Sequence, residues 1–451
     1  MKIQLSNHFT YKRLLIFTLP SMVMMIFTSI YGVIDGFFVS NFVGKTSFAA
    51  VNFIMPFLMI LGTVGFMFGT GGSALVAKTM GEGDRDKANS IFSMIIYVSL
   101  GLAVIITVLG IIFIRPVAAL LGAEGAMLDD CALYGRIILL ALPAFVLQME
   151  FQSFFVTAEK PQLGLWVTVA SGVTNMVLDA LIVGVFPLGL VGAATATAVS
   201  QLVGGIIPII YFSRGSNSLL RLGRAKFDGR ALFKTCTNGS SELMSNVSMS
   251  LVGMLYNIQL LEYAGENGIA AYGVMMYVNM IFIAAFIGYS IGTAPVIGYH
   301  FGADNHSELK SLLKKSIAII SVFSMCMLGL ALVLATPLSR IFVGYDKELL
   351  DMTSHGFKIF SVSFLLAGFA IFSSGFFTAL NDGLTSAFIS FLRTLVFQVI
   401  AVIVLPVMWG LDGIWISVVV AEAMAVAVGA VCIYLKRKRY KYDWTSCCTR
   451  I

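Results

Sequence analysis

The sequence predicts an all-α polytopic membrane protein, with twelve transmembrane helices in two pseudo-twofold-related six-helix bundles around a central cavity. Three observations predict it. First, 58% of the residues are hydrophobic and only 12% charged, against roughly 25% charged in an ordinary soluble domain. With a mean hydropathy of +0.92, such a chain could not cover its own surface in water, so lipid must be the solvent for most of it. Second, apolar runs of about 20 residues, enough to cross a bilayer, recur twelve times. Third, one half of the chain matches the other under a single shift.

Taken in order, the first run, 14–40, follows Lys2, Lys12 and Arg13. It is longer than the roughly 7–15 residues of a signal h-region and ends in no small-residue cleavage site, so it reads as a span. The second, 48–77, holds Gly69-Thr70-Gly71-Gly72. No lysine follows at phosphate-loop spacing, and close helix packing is the better reading. Runs at 90–114, 132–157, 162–186 and 190–212 complete the first six. The second six fall at 234–261, 269–298, 315–338, 356–380, 385–408 and 413–435. Interior prolines (Pro56, Pro143, Pro295) are tolerated because neighbouring helices satisfy the freed carbonyls. The last span ends at Lys436-Arg437-Lys438-Arg439, a stop-transfer anchor. The six cysteines (Cys131, Cys236, Cys326, Cys432, Cys447, Cys448) show no metal spacing and mostly lie in apolar segments, so a disulfide framework is not expected. His300 and His306 are expected to be solvated in a loop.

Lys and Arg in short loops set orientation. The termini and the loops near 78–89, 158–161, 213–234, 299–315 and 381–384 form one side. That side holds 22 of the 29 Lys and Arg, the others being Lys45, Arg115, Arg136, Arg340, Lys347, Lys358 and, within a span, Arg393. Both termini are therefore expected in the cytoplasm, with the chain in a bacterial inner (plasma) membrane. This distribution accounts for the +6 net charge without a nucleic-acid partner.

A shift of 221 places Pro116 on Pro337, Thr157-Ala158 on Thr378-Ala379, and Met80-Gly81 on Phe301-Gly302. It also places Gly189-Leu190 on Gly410-Leu411, Gly192 on Gly413, and Ala49-Ala50 on Ala270-Ala271. One register over six helices implies a parallel repeat about an axis along the membrane normal. The expected organisation is an N-terminal six-helix lobe (1–212), a basic linker (213–233) and a C-terminal six-helix lobe with a basic tail (234–451). The linker is long enough to permit relative motion of the lobes. Two such bundles suit alternating access, in which rocking exposes a central cavity to each side in turn. A channel would more often use identical subunits, and a membrane enzyme would need a nucleophile or metal cluster that the sequence does not display. The 23 Met and 36 Phe suit a soft, adaptable cavity.

A carboxylate near the bilayer centre costs about 2.5–3.5 kcal/mol on insertion scales, so its presence needs a reason. Asp35, Asp179, Asn175 (one turn deeper than Asp179 on the same face) and Thr197 fall at similar depth. At 1.5 Å per residue that is roughly 8–15 Å below the outer surface. Two acids, an amide oxygen and a hydroxyl at one level suit Na⁺ or a shared proton. Glu150, Glu242 and Arg393 form a second group nearer the cytoplasm, with Glu422 near the middle of the last span. They are candidates for the substrate cavity, and Glu242 and Arg393 are candidates for a simple ion pair.

These residues resemble the multidrug and toxic compound extrusion (MATE) family of cation-coupled antiporters, prokaryotic type, over essentially the whole length. The carrying segments are Leu19-Pro20 with Ile30-Tyr31-Gly32-Val33-Ile34-Asp35, and Met80-Gly81-Glu82-Gly83-Asp84. Asn175-Met176-Val177-Leu178-Asp179 and Gly189-Leu190-Val191-Gly192-Ala193-Ala194 complete the set. The resemblance implies a cation site at Asp35, Asn175, Asp179 and Thr197. It implies export of drug-like, often cationic compounds against inward H⁺ or Na⁺, with no other cofactor, by a chain expected to act as a monomer in the bilayer. Cation binding would bend or repack the first span and shrink the adjoining cavity. Some members carry acids in the second half on the seventh and tenth spans. Here the tenth has Ser373 and Ser374 but no buried acid, Asp382 lies at its end, and Glu242 sits close to the start of the seventh, so coupling is expected through the first half. The alternatives are a lipid-linked saccharide flippase, disfavoured because Arg393 is the only Lys or Arg expected to be buried, and a membrane enzyme acting on lipids. A major-facilitator transporter would want a basic loop where Gly81-Glu82-Gly83-Asp84-Arg85-Asp86 is mixed.

Overall fold

The computed structural model describes residues 3–214, 218–344 and 346–442, with every side chain in these ranges except that of Lys45. Lys2, Cys447 and Cys448 lie outside the described residues. Every regular element among those described is helical. The first six helices are α1 (Tyr11–Phe42), α2 (Lys45–Gly81), α3 (Arg85–Leu120), α4 (Gly125–Thr157), α5 (Pro161–Leu178), which runs on as a π segment (Asp179–Val185), and α6 (Gly189–Ser213). Then come α7 (Gly229–Gly302), α8 (His306–Val343), α9 (Lys347–Ser361), α10 (Phe364–Ala379), α11 (Gly383–Phe391), a second π segment (Leu392–Val396) and α12 (Phe397–Lys436).

Nine stretches among the described residues are long and apolar enough to cross a membrane, and α9 with α10, bent by 47°, makes a tenth. Two of the ten are too long for one crossing. The 74 residues of α7 would span about 111 Å if straight, against a hydrocarbon core of about 30 Å. Gly265 breaks α7 at φ 61°, and Gly410 breaks α12 at φ 57°. Counting each broken stretch twice gives the twelve crossings expected. Aqueous ends are fixed by side-chain caps, because the first helical N–H groups have no partner within the helix. Thr10 accepts from the Arg13 amide, Asp84 from Lys87, Asn305 from Glu308, and Asp228 from Arg230 and Ala231.

The repeat is written into the backbone. Left-handed φ values occur at Gly44 and Gly265, at Gly83 and Asp304, and at Gly189 and Gly410, each pair 221 residues apart. Contacts between the halves obey the same shift. A Cβ on Gly81 would strike the Tyr299 carbonyl, and one on Gly302 would strike that of Lys78. Likewise Gly71 abuts Gly239 while Gly292 abuts Thr18. Residue i touching j + 221 while j touches i + 221 is the signature of a twofold-related interface.

These glycine seams lie at the end of the bundle that carries the basic loops, called here the basic end. Asn381, left-handed at φ 58°, locks the seam. Its Oδ1 accepts from the Asn238 amide at 2.7 Å and its own amide donates to the Ala74 carbonyl at 3.2 Å. Toward the far end the halves part. Gly32, Gly36, Gly253 and Gly273 face open space, and Ser29 donating to the Met280 carbonyl at 3.3 Å is a cross-contact at intermediate depth. The cleft therefore opens away from the basic end.

The described part of the linker is hydrogen-bonded to α3 of the first half from Arg221 to Lys226. One expectation changes here. His300 is not solvated. It occupies the last turn of α7, buried, because the N-terminal segment folds over it and sets the Phe9 ring edge-on at 6.4 Å. His306 is half-buried. The four described cysteines are free.

Candidate functional site

Three helices bring the polar level together. α1 supplies Asp35, half-buried. α5 supplies Asn175 and, where its winding loosens into the π segment, Asp179, both buried. α6 supplies Thr197. α1 approaches α5 closely because Gly172 leaves room for the rings of Phe27 and Tyr31. α6 approaches the π segment because Gly192 sits against Ile182. All four residues expected from sequence converge. Asp35 Oδ1 accepts from Asn175 Nδ2 at 3.4 Å and from the Thr197 hydroxyl at 3.2 Å. The Asp179 carboxyl lies beside that of Asp35, within hydrogen-bonding reach if one proton is shared.

The decisive feature is what this cluster lacks. Both Asp179 oxygens, Asn175 Oδ1, Gln148 Oε1 and Gln201 Oε1 are buried without a donor. Buried acceptors are almost always satisfied, and an uncompensated carboxylate in low dielectric is costly. A wall of acceptor oxygens with no matching donors is what a hard cation such as Na⁺ requires, and a proton shared by the two carboxyls would serve the same need.

Sequence reasoning missed the supports beneath. The Gln148 amide faces the Tyr31 hydroxyl, its Nε2 donates to Ser171 at 3.3 Å, and Ser171 donates to the Ser200 carbonyl at 2.7 Å. The signal was present, since Ser171, Asn175 and Asp179 recur every fourth residue and share one helix face. Adjoining the cluster is a small, mostly apolar recess lined by Met55, Met59, Tyr134, Phe145, Thr197 and Gln201, among others. Thr197 belongs to both the recess and the acid cluster.

The second group does not form as expected. Arg393, in the second π segment, gives its guanidinium to Glu422 of α12, with Nε at 3.0 Å from both oxygens and Nη2 at 2.9 Å from Oε1. The Glu242–Arg393 pair is therefore replaced by Arg393–Glu422, because α11 and α12 face each other at that depth. Glu242 is half-buried, three residues beyond Gly239, whose backbone meets α2. Glu150 meets no base among the described residues, and neither of its carboxyl oxygens has a hydrogen-bond partner there. It is fully buried with Gly69 of α2 against its backbone, and the neighbouring Ser99 hydroxyl donates to the Ile96 carbonyl. Ser373 and Ser374 are buried at helix contacts. Asp382 pairs with Lys436 at 2.6 Å. Burial pushes its carboxyl up, but hydrogen bonds from Lys436, Thr385 and Tyr440 outweigh this and hold it below the ordinary carboxylate range.

Comparison with known proteins places this geometry. The MatE family profile matches residues 20–181 and again 243–404, once in each half. The chain is 27% identical over 441 residues to the multidrug export protein MepA of Staphylococcus saprophyticus, covering 96% of this chain and 95% of that one. It is 26% identical over 435 residues to MepA of Staphylococcus aureus strain MRSA252, with the same coverage. Among solved structures it superposes, at TM-score 0.91 and 23% identity over 97% of this chain and 98% of the other, on the outward-facing conformation of a multidrug resistance MATE family transporter of the MOP superfamily.

Proposed function

The chain belongs to the MatE family, and from that membership we propose that it exports drug-like, often cationic compounds by secondary antiport, in exchange for inward H⁺ or Na⁺ bound at Asp35, Asn175, Asp179 and Thr197. The observation that carries the coupling site is the set of buried acceptor oxygens without donors around two adjacent carboxyls. The recess reaches the same site through Thr197. A cation drawing Asp35 toward Asp179 would therefore move α1 and reshape the space a substrate occupies. We place the protein in a bacterial inner membrane with both termini cytoplasmic, which makes the far end external and the cleft outward-open. Glu242, a half-buried carboxylate, is the residue we assign to meet the cationic part of a substrate. A flippase for pyrophosphate-linked lipids fits less well, because Arg393 is already neutralised by Glu422.

Ethidium efflux tests this reading in cells expressing wild type, Asp35→Asn or Asp179→Asn, with proton and sodium gradients collapsed separately. The expected result is efflux by the wild type that one ionophore abolishes, and a loss of at least about tenfold in both variants at normal membrane levels. Variants that pump as well as wild type would sink the assigned site.

A further inference from the structure

The segment between α6 and α7 carries a cationic surface to which the proposed transport cycle assigns no part. Residues 218–228 run without regular structure across α3, and polar side chains of α3 hold their backbone. Asn89 Oδ1 accepts the Arg221 amide at 2.8 Å and the Ser90 hydroxyl accepts the Lys226 amide at 3.1 Å. Ser93 accepts from the Gly223 amide at 3.1 Å and donates to the Arg221 carbonyl at 3.3 Å, and Tyr97 donates to the Gly223 carbonyl at 3.1 Å. Leu220, fully buried, anchors the inner side. With the backbone spent on α3, the side chains of Arg221, Arg224, Lys226 and Arg230 are left exposed. Among the described residues none of the four meets an acid at ion-pair distance. The one carboxylate in the segment, Asp228, is turned to the amides of Arg230 and Ala231 at 2.9 and 3.1 Å. Beside these cations stand Phe227 and Phe233, 76% and 71% exposed.

Depth places this surface. The 36 residues of α3 measure about 54 Å against a hydrocarbon core of about 30 Å, so about 12 Å projects at each end. Asn89 to Ser93 fall within about 12 Å of the start of α3, which puts the linker at headgroup level. We propose that this linker is a binding site for anionic phospholipid headgroups of the leaflet at the basic end, with the four cations meeting phosphates and the two phenyl rings seated in the interfacial layer. A basic cluster together with buried apolar groups is the two-part signal that membrane-surface attachment needs. A free anion would have no use for the exposed rings.

The test weighs lipid retained by the full chain in detergent, by native mass spectrometry, with phosphatidylglycerol or phosphatidylcholine added. Wild type should retain phosphatidylglycerol in preference to phosphatidylcholine. That preference should fall roughly fivefold per cation removed, nearly vanish in R221Q/R224Q/K226Q/R230Q, and survive in R221K/R224K/R230K. Equal retention of the two lipids by wild type, or an unchanged preference in the quadruple glutamine variant, would overturn the proposal. So would displacement of phosphatidylglycerol by millimolar inorganic phosphate beyond what chloride achieves at the same ionic strength, since that marks a free-anion site. Should the glutamine variant fail to fold, wild type alone decides: a headgroup preference indifferent to salt rejects the site, and one that weakens as salt rises supports it.

Discussion

At the scale of single residues, the molecule keeps two kinds of buried charge. Asp35 and Asp179 are adjacent and have no basic partner among the described residues, which is what the proposed exchange of a cation or proton there requires. Glu422 and Arg393 meet each other in a bidentate pair and have no need of a visitor. Arg393→Leu should therefore destabilise the protein by about 3–5 kcal/mol, because it strands a buried carboxylate. The double variant R393L/E422L should recover most of that loss. Thermal unfolding in detergent reads both, and a double variant no more stable than the single one would contradict the pairing. The depth of Asp35, Asn175, Asp179 and Thr197 was legible in the sequence because distance along a helix is linear in residue number. The partner of Arg393 was not, because partnership depends on which way a helix face is rotated.

At the scale of elements, glycine decides where helices touch. Gly71 and Gly239 let α2 and α7 meet backbone to backbone, and Gly288 and Gly292 do the same for α1 and the second half of α7. The reading of Gly69 to Gly72 as a packing surface holds, since each of Gly69, Gly71 and Gly72 lies against another helix. Gly239→Val would push its side chain into the Met67 carbonyl, and overpacking of this kind costs about 1–3 kcal/mol. The closed basic end should loosen, shifting the balance toward its open form by roughly tenfold. Cys236, half-buried beside this seam, is a native reporter. With the other cysteines replaced, its maleimide labelling should speed up several-fold in Gly239→Val, and an unchanged rate would show that the seam does not gate access. The π segment at Asp179 left no mark in the sequence, because one extra residue per turn does not disturb an apolar pattern.

At the scale of the whole molecule, the N-terminal segment straps the halves together at the basic end. The Leu5 amide donates to Glu159, in the loop after α4, at 2.7 Å. The Phe9 amide and the His8 ring bond Glu308 of α8 at 2.9 and 2.6 Å. Lys315 of α8 closes on the Phe9 carbonyl at 2.5 Å. Leu5 and Phe9 are fully buried beneath these bonds. An alternating-access cycle has to release them when the basic end opens, so the strap favours the far-end-open form. Deleting residues 3–9 should accelerate Cys236 labelling and weaken retention of the far-end-open form. Labelling as slow as in the intact chain would show that the strap has no part in closure.

The sequence by itself determined the membrane-spanning helical character of the chain, its apolar spans, the 221-residue repeat and the level of the four site residues. All of these follow from composition and from position along the chain, which a sequence records directly. Tertiary structure alone decided that the basic end is closed and the far end open, and that Arg393 belongs to Glu422. It also decided that Glu150 is buried away from any basic partner among the described residues, that His300 is buried, and that the linker is laid along α3 with its cations outward. Each of these depends on how one helix face is turned toward another or on where a segment distant in sequence comes to rest, and a linear pattern fixes neither.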